Sequence, residues 1–249
     1  MLWVGTSWKM NGTRAFAADY AQKLHDADLA PIVEAGIQPF IIPSFTAIDV
    51  AAGILTDSSP VIVGAQNAHW EEKGAWTGEV SMVQAKDAGA KIIEMGHSER
   101  RQYFGETDET VNLKVKAALR EGLIPLVCFG ESAEVFEAGE TVEFITSQID
   151  AALDGVVDTS RVILAYEPIW AIGEHGRPPE REDLIRTFAA LADRYAGRVQ
   201  AILYGGSVNH DNIKDILGIE GVGGLFIGRS AWTPEGYLKN LELAAETLH

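Results

Sequence analysis

The chain has 249 residues, with 20 Lys plus Arg against 36 Asp plus Glu and a formal charge of −16. An apolar fraction of 47% and a charged fraction of 22% exclude a disordered or fibrous chain, and the acid excess argues against generic binding to nucleic acid or anionic membranes. No apolar run reaches the roughly 18 residues of a membrane span. Cys128 is the only cysteine, so no intrachain disulfide can form and a reducing cytoplasm is expected.

Met1-Leu2-Trp3-Val4-Gly5 lacks the basic region and cleavage site of a signal peptide and leads directly into a strand pattern. Eight such runs follow one another, at residues 2–6, 39–42, 61–65, 91–95, 125–128, 162–166, 200–204 and 224–227. They are nearly continuous in apolar residues rather than alternating, as strands buried on both faces are. Helical patterns separate them, at 14–26, 109–120, 142–153 and 179–195, the last opening on Pro178-Pro179 and acidic residues. Eight βα units in 249 residues are what a (β/α)8 barrel of roughly 250 residues requires, and no linker divides the chain, so residues 1–249 are expected to form one domain. The rival is an open doubly wound sheet. It demands a Gly-x-Gly-x-x-Gly turn after the first strand, where this chain has Gly5-Thr6-Ser7-Trp8-Lys9.

A barrel places its active site at the carboxyl ends of the strands. Those ends carry Ser7-Trp8-Lys9, Gln66-Asn67, Gly96-His97-Ser98-Glu99, Gly130-Glu131, Glu167-Pro168, Gly205-Gly206-Ser207 and Gly228-Arg229-Ser230. One at a time, such residues read as helix caps or solvated loop groups, Lys9 as a surface charge and Glu131 as a helix N-terminal charge. Their convergence on one mouth favours a site. The two glycine turns, each expected to open a helix, aim backbone N–H groups and serine hydroxyls at a common point. This is an anion site of the kind that barrels build after their seventh and eighth strands. A phosphorylated small molecule is the implied substrate class. Glu94, His97 and Glu99 are an alternative metal set, disfavoured because they lie on a strand end with no Cys or second His nearby.

After the sixth strand, Glu167-Pro168-Ile169-Trp170-Ala171-Ile172-Gly173-Glu174-His175-Gly176-Arg177-Pro178 is unusually apolar for a loop. Two readings stand: a loop packed permanently on the rim, or a lid that closes over a ligand and excludes water.

These residues resemble the triosephosphate isomerase family over the full length of the chain. The resemblance is carried by Trp8-Lys9-Met10-Asn11-Gly12, Gly64-Ala65-Gln66-Asn67, Gly96-His97-Ser98-Glu99-Arg100-Arg101, Phe104-Gly105-Glu106-Thr107, Ala165-Tyr166-Glu167-Pro168-Ile169-Trp170-Ala171-Ile172-Gly173 and Tyr204-Gly205-Gly206-Ser207-Val208. It implies a single-domain (β/α)8 TIM barrel and an aldose–ketose isomerase that works by enediolate proton transfer, with no cofactor and no metal. It implies Glu167 as the carboxylate base, His97 as the neutral electrophile, Lys9 as the cation that binds substrate, and Glu99 as the acid linked to it. Gly173, Ser207 and the turn around Gly228 take the place of the phosphate site. Thr77, in Gly74-Ala75-Trp76-Thr77-Gly78-Glu79, falls where the family's dimer loop reaches the neighbouring subunit, so a homodimer through this loop is implied.

Three positions depart from the family pattern. Ser7 stands where Asn is usual, and its shorter side chain leaves room beside the substrate. Gly228-Arg229-Ser230-Ala231 replaces a Gly-Gly-Ala-Ser turn, putting a guanidinium near the phosphate loop at a place where φ > 0 is harder to reach. Glu174-His175-Gly176-Arg177-Pro178 replaces Thr-Gly-Lys-Thr-Ala in the second half of the lid. With Gly224-Leu225-Phe226-Ile227-Gly228-Arg229-Ser230-Ala231-Trp232, these features resemble the branch acting on L-erythrulose 1-phosphate in tetritol catabolism. Interconversion of the L-erythrulose 1-phosphate/D-erythrose 4-phosphate type is the leading expectation, and interconversion of dihydroxyacetone phosphate with D-glyceraldehyde 3-phosphate the alternative. Ser7 and Arg229 join the substrate-binding candidates. A metal-dependent lyase on the same barrel would lose activity to EDTA. A non-catalytic phosphate-sensing barrel would bind ligand without turning it over.

Overall fold

The eight apolar runs pair in parallel and close on themselves. In the computed structural model, which describes residues 1–172, 176 and 178–248, they are β1 (Leu2–Ser7), β2 (Ile37–Ile42), β3 (Ile62–Ala65), β4 (Ile92–Met95), β5 (Ile124–Phe129), β6 (Ile163–Tyr166), β7 (Ala201–Tyr204) and β8 (Gly224–Ile227). They are hydrogen-bonded in chain order into a closed barrel. Each run lies where the sequence puts it, with no end shifted by more than two residues. Closure joins β8 to β1 in the register Trp3↔Gly224 to Thr6↔Ile227. Gly224 sits there at φ +147°, and any Cβ on it would run into the Trp3 backbone.

The continuous apolar runs feed two separate cores. Trp3, Phe40, Ile42, Ile92, Leu126, Cys128, Ile163 and Phe226 belong to a cluster filling the barrel. Val4, Ile41, Ile93, Met95, Val127 and Leu164 belong to the larger cluster between the strands and the helices. Successive strand residues thus alternate between inside and outside. On β4, Ile92 is inside and Ile93 and Met95 are outside, so the period of two directs Glu94 into the barrel.

Helices cover the outer shell where their pattern predicts. Arg14–Asp26 is capped by the Thr13 side chain, which accepts from the Phe16 N–H. Asp108–Arg120 opens with a reciprocal Thr107/Thr110 capping box. Thr141–Leu153 follows the expected span. Two expectations are corrected. The helix expected from 179 begins at Arg181, because Glu180 is an N-cap with extended backbone (φ −66°, ψ 149°), which is non-helical and keeps the helix from reaching back to Pro179. The glycine turns do not both open helices. Ile213–Leu217 starts well beyond Ser207, and Gly228 opens only a single 3-10 turn, Arg229–Ala231. Among the described residues, no helix is long and apolar enough to cross a membrane.

Candidate active site

Because all eight strands are parallel, the candidate residues arrive at one mouth. A single pocket is lined by Ser7, Lys9, His97, Glu167, Ser207, Gly228 and Arg229. Gly173 lies outside the described residues, as do Glu174, His175 and Arg177.

Lys9 is the one non-glycine residue with positive φ (53°) among those described, a conformation that costs energy and persists only where its surroundings enforce it. They do. Gln66 Nε2 donates to the Lys9 carbonyl at 2.8 Å, and Asn11 Nδ2 donates to the Trp8 carbonyl at 2.8 Å. The ammonium is thereby turned into the mouth, where Nζ meets Glu99 Oε1 at 2.7 Å. Glu99 does not line the pocket; it stands behind Lys9.

His97 caps the helix Ser98–Phe104. Its Nδ1 accepts from the Glu99 backbone N–H at 3.2 Å. An accepting Nδ1 leaves the proton of a neutral ring on Nε2, which faces Glu167 Oε2 at 3.7 Å. Burial, and then the Lys9 charge, lower the His97 pKa to about 4, so the ring is neutral at physiological pH and offers one N–H to the pocket. Below it, Glu106 binds the Gly96 N–H (3.1 Å), Arg100 Nε (2.8 Å) and Lys114 Nζ (2.8 Å). Burial opposes the Glu106 charge, yet Lys114, Gly96 and Arg100 together hold its carboxyl below its ordinary range. This buried pair anchors the Gly96-His97 turn.

Glu167 follows β6 and is buried, and its Oε2 has no hydrogen-bond partner. Burial and then the neighbouring Glu94 push its pKa well up, with Lys9 opposing. Gly205 makes room for it. A Cβ there would stand 2.8 Å from Glu167 Cγ. The segment beyond Glu167 is pinned at its start. Trp170 Nε1 donates to Glu131 Oε1 at 2.9 Å, and its ring lies 4.3 Å from that of Phe136. Glu131 is therefore a fully buried anchor, also bound by the Tyr166 hydroxyl (3.1 Å), and not a solvated helix charge.

The glycine-turn serines are not free donors. Ser207 Oγ donates to the Ala171 carbonyl at 2.7 Å and Ser230 Oγ to the Val208 carbonyl at 3.0 Å. What this wall offers an anion is backbone N–H groups and the exposed Arg229 side chain. Arg229 needs no positive φ, so the expected backbone difficulty at that position does not arise.

Ser7 does more than leave room. Its Oγ donates to Glu94 Oε2 at 2.8 Å, and Glu94 is only 3% exposed. Sequence reasoning considered Glu94 only as a metal donor, although a carboxylate at an inward position of the apolar run Ile92–Met95 was itself a signal. Ser7 engages Glu94, and Lys9 engages Glu99. Among the described residues no group of three or more His, Cys, Asp and Glu is arranged to hold a metal ion. Burying a carboxylate costs several kcal/mol, against about 1.5–3 kcal/mol from one hydrogen bond to it. Desolvation wins, and the Glu94 pKa rises from 4.5 to about 8.

Between those two values the folded protein keeps a proton that the unfolded chain has released, so Glu94 lowers stability progressively as pH rises through the window and by a constant amount above it. Glu94→Gln mimics the neutral acid. Its stability advantage over the parent protein, measured by urea unfolding, is expected to widen between pH 5 and 8 by up to about 1.4 kcal/mol per pH unit and then to level off.

Comparison with known proteins agrees with this architecture. The family model for triosephosphate isomerase matches residues 2–244. The chain is 58% identical to an L-erythrulose-1-phosphate isomerase of Mycolicibacterium smegmatis over 246 residues, covering 98% of this chain and 93% of the relative. It is 49% identical to one of Rhizobium rhizogenes, covering 99% and 95%, and 46% identical to one of Brucella abortus, covering 98% and 96%. With the closed eight-stranded barrel and the motifs at its mouth, this match establishes that the chain belongs to the triosephosphate isomerase family.

Proposed function

We propose that the protein isomerises a short-chain sugar phosphate by enediolate proton transfer, with L-erythrulose 1-phosphate as its substrate. The carrying observation is the pair at the centre of the pocket: a neutral His97 whose Nε2–H faces the buried, unpaired Glu167 Oε2 at 3.7 Å. A base and a hydrogen-bond donor at that separation suit a carbon acid beside a carbonyl. Glu167 removes the proton from C3, the carbon next to the carbonyl on the side away from the phosphate. The electron pair moves into the C2 carbonyl, and the enediolate oxygen takes the His97 hydrogen bond and the field of Lys9. Returning the proton to C2, with the hydroxyl proton relayed between the two oxygens through His97, moves the carbonyl to C3. One transfer thus gives the 4-phosphorylated ketose, and a further transfer towards the end carbon leads to the aldose D-erythrose 4-phosphate.

On this reading Glu99 holds Lys9 in place, and Ser7 borders the reacting end of the substrate. The phosphate is taken by the Ser207 and Gly228 turns with Arg229, and by Gly173 from the loop after β6. A lid role for that loop is consistent with its anchored Trp170 start, and a closed site would protect an enediolate that can otherwise expel phosphate. The chemistry assigned to Glu167, His97 and Lys9 needs no cofactor or metal. One domain, a cytoplasmic location and a homodimer complete the proposal. The dimer would form through the exposed 74–79 loop, where Trp76 is 48% exposed and its ring lies tilted against that of His69, with 4.4 Å between centroids, and Thr77 would reach the partner.

The deciding assay compares kcat/KM for L-erythrulose 1-phosphate and dihydroxyacetone phosphate. The tetrulose phosphate is expected to be the better substrate, and triose turnover near the diffusion limit with an inert tetrulose would reverse the assignment. Glu167→Asp withdraws the carboxylate by about one methylene and is expected to lower kcat roughly 10²-fold or more; an unaltered rate would remove Glu167 from the role of base. Light scattering is expected to give twice the monomer mass.

A further inference from the structure

The hydrogen bond between Ser7 and Glu94 has no part in proton transfer or phosphate binding, yet it spans the pocket floor. Ser7 ends β1, which pairs with β2 and β8, whereas Glu94 lies on β4, which pairs with β3 and β5. The 2.8 Å contact therefore crosses the barrel interior instead of following the sheet. Ser7 lines the pocket together with Lys9, His97 and Glu167, and Glu94 backs it from within. A serine hydroxyl has one proton and two lone pairs. Here the proton is spent on Glu94 Oε2, so what Ser7 has left for a ligand is an acceptor. The Trp232 indole N–H, donating to the Ser7 carbonyl at 3.1 Å, fixes the backbone from the other side.

The position matches a particular part of the substrate. The turns after β7 and β8 that we assign to phosphate lie across the barrel from β4. A chain held by its phosphate at that wall passes Glu167 and His97 and brings its far end towards β4; β1 itself neighbours β8, and it is the Ser7 side chain, reaching inward to Glu94, that stands on this path. In a four-carbon 1-phosphoketose that far end is C4, a hydroxymethyl group; a three-carbon phosphoketose has no such carbon.

We propose that Ser7 and Glu94 form the subsite for this terminal hydroxymethyl group, Ser7 Oγ accepting its hydroxyl hydrogen bond and Glu94 acting as the positioning residue that keeps Ser7 in the accepting orientation. The subsite deepens the four-carbon substrate reading and rests on it.

Ser7→Ala and Glu94→Leu test it, with kcat, KM and circular dichroism melting measured for each, and with Ki for 2-phosphoglycolate, which carries a phosphate and a carboxylate but no hydroxymethyl group. Both variants are expected to lower kcat/KM for L-erythrulose 1-phosphate about 30-fold, chiefly through KM, while Ki for 2-phosphoglycolate moves less than about threefold, the scatter expected of a contact that ligand does not make. Glu94→Gln is expected to recover most of the loss, because its carboxamide oxygen accepts the same hydrogen bond from Ser7. A parallel loss for substrate and 2-phosphoglycolate would overturn the subsite, as would a kcat/KM for Ser7→Ala close to that of the parent, or a Glu94→Gln no better than Glu94→Leu. Ser7→Ala removes one buried oxygen and adds no bulk, so the test survives if Glu94→Leu does not fold. A parent protein that turns over dihydroxyacetone phosphate but not L-erythrulose 1-phosphate would defeat the substrate reading itself, and the subsite with it, before any variant is made.

Discussion

Closing β8 onto β1 is the constraint on which everything else depends. A parallel sheet with free edges would leave ladder groups unpaired; the barrel removes both edges and in doing so makes an inside. Parallel strands all end at the same mouth, so residues as distant in sequence as Ser7, His97, Glu167 and Arg229 become neighbours. Closure also explains why Gly224 is needed, since a side chain there would strike the Trp3 backbone.

Inside that enclosure, charge is managed group by group. Glu106 is given a lysine, an arginine and a backbone N–H and remains ionised. Glu94 is given one hydroxyl and keeps its proton instead. His97 is buried beside Lys9 and stays neutral. The balance between desolvation and the number of compensating partners decides each case. The overall charge of −16 has little bearing here. At a Debye length of about 8 Å most surface carboxylates are screened from the mouth, where Lys9 and Arg229 stand with the backbone donors of the glycine turns.

Several polar residues around the mouth spend their hydrogen bonds within the protein: Ser207, Ser230 and Trp170 donate to it, and Glu131 accepts twice at Oε1. The buried Oε2 atoms of Glu131 and Glu167 have no hydrogen-bond partner, and of these two residues Glu167 lines the pocket. Gln66 and Asn11, which read as family motif residues, turn out to hold the backbone around Lys9 in its left-handed conformation.

The sequence by itself determined the eight strands and four of the long helices, because runs buried on both faces and amphipathic helices leave a local signature; the last helix, Pro234–Ala245, is not among the helices read from it. It also marked Lys9, His97 and Glu167, since polar residues at strand ends are conspicuous against apolar runs. Hydrogen-bond partners left no such trace. Only the tertiary structure decided that the Ser207 and Ser230 hydroxyls are occupied, that Glu131 is an anchor, and that Glu94 reaches across the barrel to Ser7. Each of those contacts joins residues brought together by closure, and no periodicity along the chain encodes which side chains meet there.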